Sequence, residues 1–127
     1  MSINFKDALG VHPDALKLRA ERTRILASNI ANENTPGYEA QDMDFNATLQ
    51  QVMDSDGSGF SNGLGLDTDG VSGDPLYRVP YHPTRDGNTV EIGVEQAAFS
   101  QNASDFQTSL TFVNMQLKGL AKAIAGQ

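Results

Sequence analysis

Apolar side chains return along the last third of the chain with a spacing that alternates four and three. Phe99, Ala103, Phe106, Leu110, Val113, Leu117, Leu120 and Ile124 hold this rhythm without a skipped position. A repeat of that kind lays one continuous stripe along an α-helix, so a helix is predicted over about 89–125. Gly126 then supplies a C-terminal stop. Its start is ambiguous locally. Val90, Ile92 and Val94 alternate with Glu91, Gly93 and Glu95 as a strand would, whereas Asn88 with Glu91 has the spacing of a capping pair. The long stripe that follows favours the helix.

A second, narrower stripe lies near the N-terminus. Leu16, Ala20, Thr23, Ala27 and Ile30 follow the same alternation, Leu18 and Leu26 widen it, and Arg19, Glu21, Arg22 and Arg24 fill much of the remainder. Pro13 suits a first helical position and Asp14 complements the N-terminal partial charge. The helix is predicted over about 14–34. Thr35 precedes proline and is pushed out of the helical region, and Gly37 is free to turn the chain, so the run ends near Asn34.

Between the stripes the pattern dissolves. Residues 35–75 read as a loop and a Gly-rich linker, with DSDGSGFSNGLGLDTDGVSGD at 54–74 too poor in apolar residues to fold alone. Residues 76–88 read as an irregular segment that allows a short β element, because Pro75, Pro80 and Pro83 confine any strand to an edge. The expected architecture is mostly α: two long terminal amphipathic helices that pack as a coiled-coil-like pair in an assembly, around an irregular middle, in a single unit covering 1–127. A hairpin of the two helices within one chain would be weak, since the first stripe is rich in Ala and Thr; burial is therefore assigned to neighbouring chains.

Composition narrows the function classes. The formal charge of −7 and the pI near 4.5 oppose phosphate-backbone binding, so no nucleic-acid partner is expected. No apolar run has the length of a bilayer span, and the first residues lack the basic and apolar regions of a secretory signal. There are no cysteines, hence no disulfide, thiolate site or cysteine nucleophile.

Candidate chemistry is sparse. Gly63-Leu64-Gly65-Leu66-Asp67 resembles half of a calcium-binding nonapeptide, with Asp54, Asp56, Asp67 and Asp69 as oxygen ligands, but it stands unrepeated. His82 lies near Tyr81 and Asp86 without an evident nucleophile; the simpler reading is a turn histidine beside Pro83. No cofactor and no enzymatic activity are expected. Asn29 and Asn32, three residues apart, either cap the loop at 35–38 within their own chain or present amides to a neighbouring subunit.

The segment LRAERTRILASNIANENTPGYEAQDMDF at 18–45 resembles the N-terminal signature of the bacterial flagellar basal-body rod proteins. The resemblance is carried by Leu26-Ala27-Ser28-Asn29-Ile30-Ala31-Asn32, by Thr35-Pro36-Gly37-Tyr38, and by Asp42, Asp44 and Phe45. Asp86-Gly87-Asn88-Thr89-Val90-Glu91 and the ending Gln116-Leu117-Lys118-Gly119-Leu120 resemble the proximal rod subunits in particular, while the Gly-rich middle lies outside the likeness. The resemblance implies a structural subunit that stacks helically and carries torque from motor to hook and filament. Its partners would be further copies of itself and other rod subunits, with ring and export-gate components of the basal body. Its place would be the periplasmic rod, reached by the flagellar type III route. Leu16, Thr23, Leu26, Ile30 and the stripe from Phe99 to Ile124 would make the assembly contacts. The alternatives are a soluble coiled-coil adaptor, which leaves Thr-Pro-Gly-Tyr unexplained, and a calcium-binding module.

Overall fold

The structure is a computed structural model that describes residues 8–54 and 74–126. Helix α1 (His12–Ala31) begins with proline in its first turn and with Asp14 beside the N-terminal partial charge. It stops a turn earlier than the proline alone dictates. Asn32 turns its side-chain amide back onto Ser28 O at 2.8 Å, its Oδ1 accepts from the Thr35 hydroxyl, and the helix gives way to turns before Thr35 is reached.

Strand β1 (Gln41–Asp42) pairs antiparallel with strand β2 (Leu76–Tyr77), Gln41 opposite Tyr77 and Asp42 opposite Leu76. Between them in sequence lies helix α2 (Phe45–Asp54), in a stretch the hydropathy reading assigned to loop. Its signal is nevertheless local: Phe45, Leu49, Val52 and Met53 share one helical face, and Asp44 Oδ1 caps the start by accepting from Ala47 N at 3.1 Å. Phe45, Leu49 and Val52 pack against Leu18, Ile25 and Met43, an apolar core cluster among the described residues. The glycine-rich run at 55–73, and with it the calcium reading, lies outside the described residues.

Helix α3 (Ile92–Ala125) runs for 34 residues, about 50 Å at the usual rise. Gly126 takes φ of 71° and ends it in the left-handed region. The two terminal helices pack on each other within one chain, the hairpin that the sequence reading took as the weaker source of burial. Asn29 meets Glu95, Thr23 meets Asn102, Arg19 meets Asp105 and His12 stacks on Phe112, so α1 and α3 run antiparallel within one chain. The capping reading of Asn88 and Glu91 is corrected. Glu91 precedes the first turn without a side-chain cap bond, and Asn88 serves the other helix.

Candidate functional site

The two motif blocks that are far apart in sequence form one clasp where α1 ends and α3 begins. Gly37 and Gly87 both take positive φ, 73° and 76°, which only glycine adopts without strain. That geometry lets Gly37 N donate to Asp86 O at 2.9 Å and Thr89 N donate to Tyr38 O at 3.0 Å. The Thr89 hydroxyl accepts from Ala40 N at 2.7 Å, and Arg78 N donates to Ala40 O at 2.9 Å, so β2 joins the same ladder. Asn88, almost fully buried, points its amide at three carbonyls, Asn32 O, Glu33 O and Thr35 O, at 2.9, 2.7 and 2.9 Å. These carbonyls belong to the turns that follow α1, where Asn32 O also accepts from Thr35 N and Thr35 O from Tyr38 N. Asn88 Oδ1 accepts from Val90 N. Glu91 Oε1 accepts from the backbone N–H groups of Tyr81 and His82, and the His82 side chain is exposed.

Asn29 is the hub. It is fully buried, and its carboxamide pairs with both backbone groups of Gln41: Nδ2 donates to Gln41 O at 2.6 Å, and Gln41 N donates to Oδ1 at 3.0 Å. One donor and one acceptor thus meet β1 as a further strand would. Nδ2 also donates to Glu95 Oε2 at 3.0 Å, and the Tyr38 hydroxyl donates to Oδ1 at 3.3 Å. Between local capping and intersubunit contact, the structure engages Asn29 inside its own chain.

A charge network extends from this hub. Arg22 holds Asp42 with two bonds, Nε to Oδ1 at 3.0 Å and a terminal nitrogen to Oδ2 at 3.1 Å. Arg78 bridges Asp42 Oδ2, at 2.9 Å, and Glu95 Oε1. Burial pushes the Asp42 carboxyl up, but the hydrogen bond from Arg22, the Met43 N–H, the Arg22 charge and the Arg78 bond together hold it below its ordinary value near 3.8. The hydrogen bond to Asp42, opposed by burial, raises Arg22 above its ordinary value. A carboxyl with a lowered folded value lends stability that is complete above its unfolded value and is lost as pH falls through the folded one. Urea unfolding followed from about pH 6 to about pH 2 is therefore expected to show stability falling below about pH 4, and Asp42→Asn should flatten that slope. An unchanged slope in the variant would remove Asp42 from the network.

Along α3, three rows of side chains, each repeating every seven residues, lie side by side. The inner row is Glu95, Asn102, Ser109 and Gln116; the first two are fully buried and the others half-buried. Beside it stand Phe99, Phe106, Val113 and Leu120, all half-buried, and outside these Ala103, Leu110, Leu117 and Ile124, all exposed. The stripe read from the sequence is thus the second and third rows, while Glu95 and Asn102 of the inner row bond to α1. On α1, Leu26 is fully buried, while Leu16, Thr23 and Ile30 are half-buried. Of the remaining motif residues, Ala31, Pro36 and Asp44 are exposed, and Phe45 lies under the Arg19 guanidinium at 4.0 Å.

Glu95, Arg78, Arg22 and Asn102 were not singled out from the sequence. Among the described residues, no three His, Asp or Glu side chains come together as a metal site, and no helix is long and apolar enough to cross a membrane.

Comparison with known proteins joins these residues to a family. The profile described as "Flagella basal body rod protein" matches residues 9–38, the length of α1 through Tyr38. Over the whole chain, the flagellar basal body rod protein FlgB of Aeromonas hydrophila is 39% identical, covering 100% of this chain and 99% of its own. The FlgB protein of Cereibacter sphaeroides is 43% identical, covering 97% and 98%, and that of Salmonella typhimurium 42%, covering 94% of each. The chain belongs to the FlgB family of flagellar basal body rod proteins. It is a structural subunit of the flagellar rod and not an enzyme. The clasp ties the end of α1, the start of α3, β1 and β2 into one hydrogen-bonded body.

Proposed function

We propose that this rod subunit assembles through the second and third rows of α3, with copies of itself and other rod subunits as partners, and that the clasp fixes the angle at which α3 is offered to them. The observation that carries the proposal is the outer row. Leu110, Leu117 and Ile124 are 41, 43 and 65% exposed, in line along one helix. An aligned apolar row of this length marks a contact surface. Contacts between unlike faces of successive copies build an open helical array, the geometry a drive shaft needs to carry torque from motor to hook and filament. Ring and export-gate components of the basal body are further partners on this reading, and the subunit reaches the rod by the flagellar type III route.

Leu117→Asp tests it. The side chain is exposed on the outer row, so thermal stability of the isolated chain should stay within about 0.5 kcal/mol. Rods should nevertheless be absent from basal bodies in a strain that carries only this variant, as seen by electron microscopy. Normal rods in that strain would overturn the assignment of the outer row.

A further inference from the structure

Large apolar side chains crowd into the open between residues 76 and 81: Leu76, Tyr77, Val79 and Tyr81 are 59, 65, 84 and 79% exposed. They do not sit on a slack loop. Arg78 fixes the segment from its middle, by its N–H on Ala40 O and its guanidinium on Asp42 and Glu95, and Glu91 holds the N–H groups of Tyr81 and His82. The segment is also the open edge of the sheet. On the far side of β1 the Asn29 carboxamide occupies both main-chain groups of Gln41, so Gln41 and Tyr77, which face each other, exchange no hydrogen bonds. In an antiparallel ladder such a residue turns its N–H and C=O outward, and so does the residue two further along. The main-chain groups of Tyr77 and Val79 accordingly have no partner among the described residues.

We infer that this edge takes the same edge of a second copy, antiparallel about Arg78, to give a closed two-fold pair of free subunits. The sequence is self-complementary in that register. Tyr77 falls opposite the partner's Val79 and Val79 opposite the partner's Tyr77; each pairing exchanges two main-chain hydrogen bonds and sets an aromatic ring beside a β-branched side chain. Val79 precedes Pro80, which holds it extended. Leu76 falls opposite the partner's Pro80 at a position that exchanges no bonds, so the missing N–H of proline costs nothing there. Pro75 falls opposite the partner's Tyr81 at a position that would exchange them, and it ends the pairing. Arg78 falls opposite its own copy, where two free charges would repel. Its guanidinium is instead drawn back onto Asp42 and Glu95, and the side chain is only 17% exposed. The apolar side chains of the edge offer on the order of 500 Å² per copy, hence ~1,000 Å² for the pair, near the lower limit of a specific interface. A contact between like edges closes on itself, so it makes a pair and no array, and it does not rest on assembly through α3.

The test uses the full chain, which has no cysteine of its own. Sedimentation velocity over a concentration series should show a monomer–dimer equilibrium with a dissociation constant of about 1 to 100 μM, as suits an interface of this size. Val79→Lys puts a charge on the open edge and should weaken the pair at least tenfold, while Tm at high dilution moves by less than about 2 °C because the side chain is exposed. Leu117→Asp, on the outer row of α3, should leave the pair intact, which keeps failure of this contact distinct from failure of the rod contact. The register is read by disulfide cross-linking. Facing residues of a bond-exchanging pair have Cα atoms about 5.5 Å apart, within reach of a disulfide. Tyr77→Cys mixed with Val79→Cys should therefore cross-link at least fivefold faster than either variant alone. A wild type that stays monomeric up to about 1 mM overturns the inference, as does a dimer that Val79→Lys leaves unchanged, one that Leu117→Asp dissolves, or one in which Tyr77→Cys cross-links to itself as fast as in the mixture. Binding of an extended apolar peptide to the edge of a monomeric chain would overturn it too, and would give the edge to a strand of another protein.

Discussion

Asn29→Asp is expected to abolish the folded state at neutral pH, although the two side chains have nearly the same shape. The wild-type amide donates to Gln41 O at 2.6 Å and to Glu95 Oε2 at 3.0 Å. A carboxylate in its place sets acceptor against acceptor at both contacts. It also buries a second negative charge beside Glu95, in a site where Asn29 and Glu95 are both 0% exposed. Arg78 can serve Glu95, but its other bond is already committed to Asp42. An uncompensated buried charge costs about 3 to 5 kcal/mol, and the loss of the two amide donors adds to that, against a total stability of about 5 to 15 kcal/mol for a typical domain. The sign of the pH response is diagnostic. A carboxyl whose folded pKa is raised by a like charge destabilises the fold at neutral pH, and that penalty is relieved as pH falls toward its unfolded value. The variant should therefore gain helix, by circular dichroism, on going from about pH 7 to about pH 4.5, the opposite of the wild-type response set by Asp42. Asn29→Ala, which removes the donors without adding charge, should lose stability with no such recovery in acid. Wild-type stability in Asn29→Asp at neutral pH would refute the placement of Asn29 between Gln41 and Glu95.

How much of this could be read in advance varies with the range of the interaction. The stripe on α3 and its stop at Gly126 were legible because a four-three repeat and a glycine after it are local signals. Helix α2 was equally local, with Phe45, Leu49 and Val52 on one face and Asp44 as its cap. Averaging its composition with the glycine-rich run behind it hid the repeat. Asn88 was legible as a capping residue but not as to which helix it caps, since the carbonyls it reaches lie more than fifty residues earlier in the chain. Arg22 reads as part of a solvated face until β1 brings Asp42 beside it. The inner row of α3 marks the deepest limit. Periodicity identifies which residues share a face, but it does not say which partner that face meets, and here the fully buried positions of α3, Glu95 and Asn102, are polar and bond to α1.

Arg78→Ala should cost about 3 to 5 kcal/mol in urea unfolding, because it leaves Glu95 charged and buried with only the Asn29 amide on its carboxylate. Asp42 suffers less, since Arg22 still holds both its oxygens. Adding Glu95→Gln to Arg78→Ala should restore at least half of the loss. The neutral amide oxygen still accepts from Asn29, and no charge remains to be solvated. The coupling read from the four-variant cycle should thus reach about 2 kcal/mol or more, well above the 1 kcal/mol or less of an exposed ion pair. Native-state amide exchange should localise the damage: Arg78 N, bonded to Ala40 O, and Thr89 N, bonded to Tyr38 O, should lose protection before the middle of α1 does. A loss below about 1 kcal/mol would mean that water already reaches the pair. A large loss that Glu95→Gln fails to rescue would assign the effect to packing of the Arg78 stem against its neighbours, and the clasp would then be closed by shape rather than by charge.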